Sequence, residues 1–421
     1  MAGPAHKPVS PLGGVKAFSC PSCAGQVELR APGQTLAASC RHCGSVIDLA
    51  DENLKILQQA RKKMDKKLVI PIGKRGELFG TEWEVIGFMV RKVVDYQYYW
   101  EEYLLFNPWQ GFRWLINNYG HWTFGTPLME YPDYKAANRT ARFEGNKYNM
   151  FSRGGAQVRY VLGEFYWKVK NGDTVQTADL VSPPHMLSYE IDDHGSSWSH
   201  GLYLEPKVVQ KAFDVEQMPP RRRIGANQPN RAKENWKVVR RVWIWLLLAL
   251  VGMQIYFVTS AANQVVLKES IEFDEINKKS YVSSPFNLEG DLTNVEVDFR
   301  APSLGNSWVY LDGYLHDRIN NKNYGFTKEW EYYYGREGGE TWSEGSRKAY
   351  RILNNVPAGE YELVLEAQTG KPKETVDIVV RRDVSIFSNF WAILIAISIM
   401  PLWYWFKSYS FEKIRWEEAD I

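Results

Sequence analysis

The sequence is short of most residues and motifs that announce an enzyme. Its 421 residues contain no G-x-x-x-x-G-K-[ST] phosphate loop, no H-E-x-x-H pair and no G-x-S-x-G elbow. Histidine occurs seven times and cysteine four times. Four cysteines are too few for a disulfide scaffold in a chain of this length. Net charge is only +2, which argues against a dedicated nucleic-acid binder. A mean hydropathy of −0.38 excludes a polytopic membrane protein but leaves room for one or two spans. Residues 1–19 lack the apolar core of a signal peptide. What is abundant is aromatic: 17 Trp, 24 Tyr and 19 Phe, a load that suits β-rich domains and membrane interfaces. The length allows two to four domains.

The four cysteines fall in two pairs, Cys20/Cys23 and Cys40/Cys43, as C-P-S-C and C-R-H-C-G. That spacing is the one expected of a four-thiolate zinc site. Two thiolates three positions apart on a tight turn grip one ion, and two such turns complete a tetrahedron. Gly25 and Gly44 offer the backbone freedom of the knuckles, and Val27, Leu29, Val46 and Ile47 suggest short strands behind them. The expectation is a structural Zn2+ ribbon over 17–50 after a disordered tail, 1–16. Four thiolates leave no open coordination position, so the ion is not catalytic. His42 reads as a solvated knuckle residue.

Two uncharged runs of 21 residues, 242–262 and 386–406, are each long enough for about 30 Å of hydrocarbon. Tryptophans and tyrosines gather near their ends, including Trp243, Trp245, Trp403, Tyr404 and Trp405. Before the first run lie Arg221, Arg222, Arg223, Lys237, Arg240 and Arg241, read as a basic juxtamembrane linker over 214–241 that touches an anionic leaflet. Positive charge marks the cytoplasmic side, so both termini are expected there, in a bacterial inner membrane, with 263–385 outside. This puts every cysteine on the reducing side. The charge split agrees: 263–385 holds 15 basic and 21 acidic residues, the remainder 36 and 28. The tail 407–421 returns to the cytoplasm.

Residues 51–67 read as a short polar helix. From 68 to 213 apolar alternation and frequent turns predict a β barrel or sandwich. The blocks GKRGELFGTEWEVIGFMVRK, WEEYLLFNPWQGFRWLINNYGHW, LGEFYWKVKNGDTV and DLVSPPHMLSYE resemble the DUF4178 family of bacterial proteins. The resemblance covers about a third of the chain and implies no activity. It implies an association with polyamine-biosynthesis enzymes and small membrane proteins. From the residues themselves, Glu101, Glu102 and Glu164 could pair as acid and base. Trp100, Tyr103, His121, Trp122 and Glu190 are further chemical candidates. His185, His194 and His200 with Asp192 and Asp193 could ligate a metal, although a solvated loop explains them more simply. The tryptophans serve packing or a partner patch.

Between the spans, segments such as SWVYLDGYLHD and ETVDIVVRR alternate strictly, as an antiparallel β-sandwich does. One stretch, FTKEWEYYYGREGGETWSEGS, interleaves Glu329, Glu331 and Glu340 with Trp330, Tyr333 and Trp342. Carboxylates beside aromatic faces suit polyamines or other organic cations. The simpler alternative is a strand with outward glutamates. The fold expected is therefore mainly β: a zinc ribbon, a cytoplasmic β domain and two transmembrane helices flanking an extracytoplasmic β-sandwich. The function expected is a non-enzymatic scaffold or sensor with protein partners and no nucleic acid. The alternative is an enzyme or accessory of amine metabolism acting through residues 68–213.

Overall fold

The computed structural model describes residues 17–59, 68–192, 195–274, 280–417 and 419. The expected tail over 1–16 lies outside them. Contacts divide the chain into two units, Met1–Val238 with Leu402–Ile421, and Val239–Pro401.

In the first unit, eight antiparallel strands close into a barrel. In order around it they are Thr81–Val93, Tyr99–Asn107, Gly111–Asn118, His121–Pro127, Gly195–Leu204, His185–Asp192, Thr174–Ser182 and Asn146–Phe165. One strand makes the closure. Asn146–Phe165 pairs with Thr174–Ser182 through its first half and with Thr81–Val93 from Val158 to Gly163. A register shift between Val158 and Tyr160 bends it from one neighbour to the other. At the seam Gly163 faces Gly87. A Cβ on Gly163 would collide with the Ile86 carbonyl, and its φ of +86° disfavours any other residue. Helix Pro206–Phe213 covers the outer face, burying Val209 and Phe213 against Trp83, Phe124 and Leu204.

The cysteine module is continuous with this barrel. Strands Ala37–Ser39, Val46–Asp48 and Ile56–Gln58 extend the sheet from Gly163–Phe165. The polar helix expected over 51–67 is not found where the chain is described. Asp51 accepts the Asn53 N–H in a turn, and Ile56–Gln58 adds a strand, with Leu57 packed on the barrel core. Burial of Ile56 and Leu57 against an existing sheet edge outweighs the helical propensity of the segment. Residues 60–67 lie outside the described chain.

The linker expected over 214–241 also has different bounds. A helix begins at Arg231, so Lys237, Arg240 and Arg241 are helical. Residues 222–227 run back over the barrel: Arg222 donates its N–H to the Tyr119 carbonyl, and Asn227 bonds Thr123 and the Pro184 carbonyl.

In the second unit eight strands form one continuous curled sheet around a single apolar core, where the alternation suggested a sandwich. Its order is Gln264–Asp274, Lys373–Arg382, Phe286–Arg300, Lys348–Thr369, Ser307–Asp317, Lys322–Glu337, Glu340–Gly345, with Ser280–Val282 also on Lys348–Thr369. The 22-residue strand Lys348–Thr369 pairs with Phe286–Arg300 and, in its second half, with Ser307–Asp317. One long bent strand thus does the work of two sheets. Ser307–Asp317 buries every second side chain, as read from its pattern.

Helices Arg231–Ser260 and Ser388–Glu417 are each 30 residues, long and apolar enough to cross a membrane. The first begins well before its apolar run, 242–262, and the second ends well after its run, 386–406. Trp243 donates its indole N–H to Ser398 across the pair, at 3.3 Å.

Candidate functional site

The four cysteines converge. Their sulfurs all lie within 4.8 Å of one another, with Cys20–Cys43 and Cys23–Cys40 both at 3.7 Å. A tetrahedron of bonds of ~2.3 Å has edges of about 3.8 Å, so the cluster fits one thiolate-bound ion. Each knuckle is the same turn: Ala24 N–H to the Cys20 carbonyl, Gly44 N–H to the Cys40 carbonyl. The residue after each second cysteine is left-handed, Gly44 at φ +76° and Ala24 at +58°. Gly25 therefore does not supply the backbone freedom assigned to it. It is small because a Cβ there would meet the His42 ring at 2.6 Å. His42 is exposed and stands outside the sulfur set.

Glu164 ties this module to the barrel. Its carboxylate accepts the N–H groups of Arg30, at 2.5 Å, and Ala31, at 3.1 Å, and the Thr35 hydroxyl at 3.2 Å. Burial pushes its pKa up against those donors. The acid–base pairing of Glu164 with Glu101 and Glu102 is thereby overturned. Glu101 and Glu102 themselves face opposite sides of a strand. Glu101 accepts from Asn117 at 2.9 Å and from the Tyr103 hydroxyl, while Glu102 points into the barrel.

The barrel interior holds a cavity of about 150 Å3. All eight strands contribute to its wall, and residues 222–227 close its mouth. Deep in it lies a charge cluster. The buried Arg91 guanidinium reaches Glu190 at 2.6 Å and Glu102 at 3.4 Å through one nitrogen, Nη1. Trp100 donates its indole N–H to Glu102 at 2.6 Å. Asp179 accepts from Ser188 at 2.6 Å and Ser152 at 3.2 Å. Glu102 is 2% exposed, and its Oε2 has no hydrogen-bond partner. Burial raises the pKa of Glu102 despite Arg91. Burial also opposes ionisation of Glu190, but there Arg91 prevails and the value falls. Burial raises Asp179 as well. Two carboxyls on one guanidinium are thus driven apart in acidity.

His121 sits at the mouth. Its Nε2 donates to the Arg222 carbonyl at 3.2 Å, so the neutral ring accepts from the Tyr203 hydroxyl at 3.1 Å. Burial keeps its pKa low. Trp122 and Tyr103, on the other face, are core. His185 and His200 stack at 5.0 Å with Nδ1 and Nε2 3.0 Å apart. Asp193 and His194 lie outside the described residues, as does the Asp192 side chain. Among the described residues only the cysteines form a set of three or more metal-binding groups.

The remaining sequence candidates scatter. On strand Lys322–Glu337, Glu329 and Glu331 are exposed and Tyr333 is half-buried, while Trp330 is buried and stacks on Phe299 at 5.7 Å. The period of two puts Trp330 on the opposite face from the glutamates, so it does not join them in one cage. Glu340 and Trp342 are exposed on the next strand. Of the basic residues, Arg221 and Arg231 both bond Glu205, at 3.1 and 2.9 Å. Arg222 and Arg223 line the cavity mouth and remain exposed.

Sequence reasoning missed Arg91, Asp179 and the closing segment. A signal for the first existed: Arg91 ends an apolar run, EVIGFMVRK, whose neighbours are buried on both faces. The mouth segment left none, because a Pro-Pro-Arg-Arg-Arg stretch looks like linker in isolation.

No curated protein aligns significantly with the chain. Among solved structures, a carbohydrate-binding module of Cellvibrio mixtus lichenase 5A, with cellotriose, aligns at 9% identity and TM-score 0.14, over 31% of this chain and 95% of that one. The infectious bursal disease virus Gt strain structure aligns at 8% identity and TM-score 0.18, over 84% and 67%. Likenesses this slight carry no argument about ligand or function. A family model does match, over residues 71–206. Those residues span the barrel strands, and the model they match is DUF4178, a domain of unknown function.

Proposed function

We propose that this is a non-enzymatic membrane sensor whose barrel lumen takes a small ligand and whose mouth segment passes occupancy to two membrane helices. The observation that carries it is the continuity of that segment. Residues 222–227 close the lumen, and the next few residues hold the second apolar helix. The Gln228 carbonyl accepts from Arg415, and Asn230 donates to the Ser408 carbonyl at 3.1 Å and to Glu412 at 2.9 Å. Arg231 then starts the first helix. A shift of one short segment is felt by both helices. The ion of the cysteine cluster is zinc on this reading, structural because four thiolates close the coordination shell. The helices cross a bacterial inner membrane with both termini inside, following the basic residues around 221–241.

The test uses the full chain in lipid nanodiscs. Asn227→Ala cuts the hold of the segment on Thr123 and Pro184. Hydrogen exchange is expected to rise at 222–230 and also at 408–416. Unchanged exchange at 408–416 rejects the coupling. Metal analysis of the same sample is expected to give one zinc per chain.

A second reading is an enzyme or accessory of amine metabolism. It draws on Glu102 and Glu190, whose acidities are split as general acid and base require. Turnover of an amine by the purified protein, lost in Glu190→Gln, would favour it. Protein partners remain part of the proposal, and affinity purification from native membranes identifies them.

A further inference from the structure

We infer that His121 is a pH-sensitive latch on residues 222–227, holding that segment over the lumen while its ring is neutral and releasing it when the ring is protonated. The inference rests on this segment being the moving part of the proposed sensor, and it names what regulates that part.

His121 opens strand His121–Pro127 and is 5% exposed. It holds the segment at two points. Its Nε2 donates to the Arg222 carbonyl at 3.2 Å. Its ring lies against Gly225, where a Cβ would meet the imidazole Cγ at 2.8 Å. Thr123, two residues along the same strand and on the same face, takes Asn227. The roof is thus held from one strand, and His121 is the titratable member of that hold.

The ring is also the middle of a proton chain. Nδ1 accepts from the Tyr203 hydroxyl at 3.1 Å, and the Tyr203 side chain is bonded in turn by Arg221. Arg221 and Arg231 share Glu205. A proton added at Nδ1 turns that acceptor into a donor. Tyr203 must then turn its hydroxyl hydrogen away, and its oxygen faces two cations, the imidazolium and Arg221. One of the two bonds gives way, and a buried charge is left short of partners. The charged and titratable groups around the ring are Tyr203 and Glu205 from the barrel strand and its end, and Arg221 from the chain entering the roof; the Arg222 and Arg223 side chains are exposed. Burial opposes the charged ring most, and Arg221 adds to it. The Arg222 and Arg223 carbonyls and Glu205 favour the charged ring but do not prevail, so the pKa stays below the usual histidine value. A ring freed to water regains that value, about 6.5. Closure is therefore fully supported above about pH 6.5 and is lost as pH falls below it.

The experiment measures hydrogen exchange of the full chain in lipid nanodiscs at pH 7.5, 6.5 and 5.5, corrected for the intrinsic effect of pH on exchange. Protection at 222–227 is expected to fall about tenfold from pH 7.5 to 5.5, while strand Thr81–Val93 and residues 264–382 hold theirs. His121→Gln, which does not titrate, should remove the fall. Tyr203→Phe deletes only the hydroxyl that a charged ring must displace; it should shrink the fall severalfold, and it covers the case in which His121→Gln misfolds. Constant protection at 222–227 across the range overturns the latch. So does an undiminished fall in either variant, which would assign the titration to another group. A fall at 222–227 with unchanged exchange at 408–416 keeps the latch and rejects the sensor coupling. Constant protection, in a chain where Asn227→Ala still raises exchange at 408–416, rejects the latch and keeps the sensor.

Discussion

The two β units solve the same problem, closing strands over an interior, and fill that interior differently. The 264–382 sheet packs Leu267, Val297, Leu311, Trp330, Leu365 and Val380 into one apolar core, and its ion pairs, such as Arg381 with Glu296 and Asp298, lie toward solvent. The barrel is apolar at one end, around Met89, Leu104 and Phe165, and then gives way to Arg91, Glu102, Glu190 and a cavity. Burying charge beside empty space opposes stability. A fold that needed only to stand would fill the barrel as it fills the sheet. The difference marks the barrel as the place where chemistry displaced packing.

The largest test of that contrast is metal removal. Structural zinc contributes on the order of 10 kcal/mol to folding of small modules. Chelation should unfold residues 17–58 and, through Glu164 and the Gly163–Phe165 pairing, raise exchange in strand Asn146–Phe165, leaving 264–382 protected. Hydrogen exchange reads both. Equal loss in the two units would break the comparison.

Next is the paired ablation of arginines. Arg91→Met removes the guanidinium that Glu102 and Glu190 share and should cost about 3–5 kcal/mol. Arg381→Met, partly exposed, should cost about 0–1 kcal/mol. Denaturant titration of each unit's transition separates them. Similar costs would mean that the lumen cluster is as wet as a surface pair.

The pH dependence is subtler. Glu102 has its folded pKa raised above 4.5, so folding favours its protonated form. Its contribution is present below about 4.5 and is lost as pH climbs toward the raised value. Glu190 has the opposite sign: its stabilisation is present above 4.5 and is lost only in strong acid. Glu102→Gln should therefore flatten the decline of barrel stability above pH 4.5. Thermal melts from pH 4 to pH 8 show it, and an unaltered slope would assign the decline to other groups.

The smallest effect separates the two knuckles. Ala24→Gly relieves a left-handed alanine that Gly44 avoids at the matching position, and should add about 0.5–1 kcal/mol. A loss of stability instead would show that the Ala24 methyl group packs.

Much of this molecule was legible in its residues. Cysteine spacing specified the cluster because two short turns leave little choice of geometry. The uncharged runs marked both long helices, and period-2 alternation marked most strands of both units. Single-residue chemistry was less legible. Glu102, Glu190 and Glu164 were recognisable as candidates, yet their partners are Arg91, for the first two, and the Arg30 and Ala31 backbone, for the third. Trp330 looked like one wall of a cage until strand alternation turned it inward. Residues 51–58 looked helical until a free sheet edge took them.

Local order, then, was written in the sequence: knuckles, spans and strands each arise from neighbours along the chain. Which strand closes the barrel, which carboxyl shares an arginine and which loop roofs the cavity were decided by tertiary structure. Those contacts join residues as far apart as Arg91 and Glu190, or Arg30 and Glu164, and no periodicity of a single segment encodes a pairing made across a closed sheet.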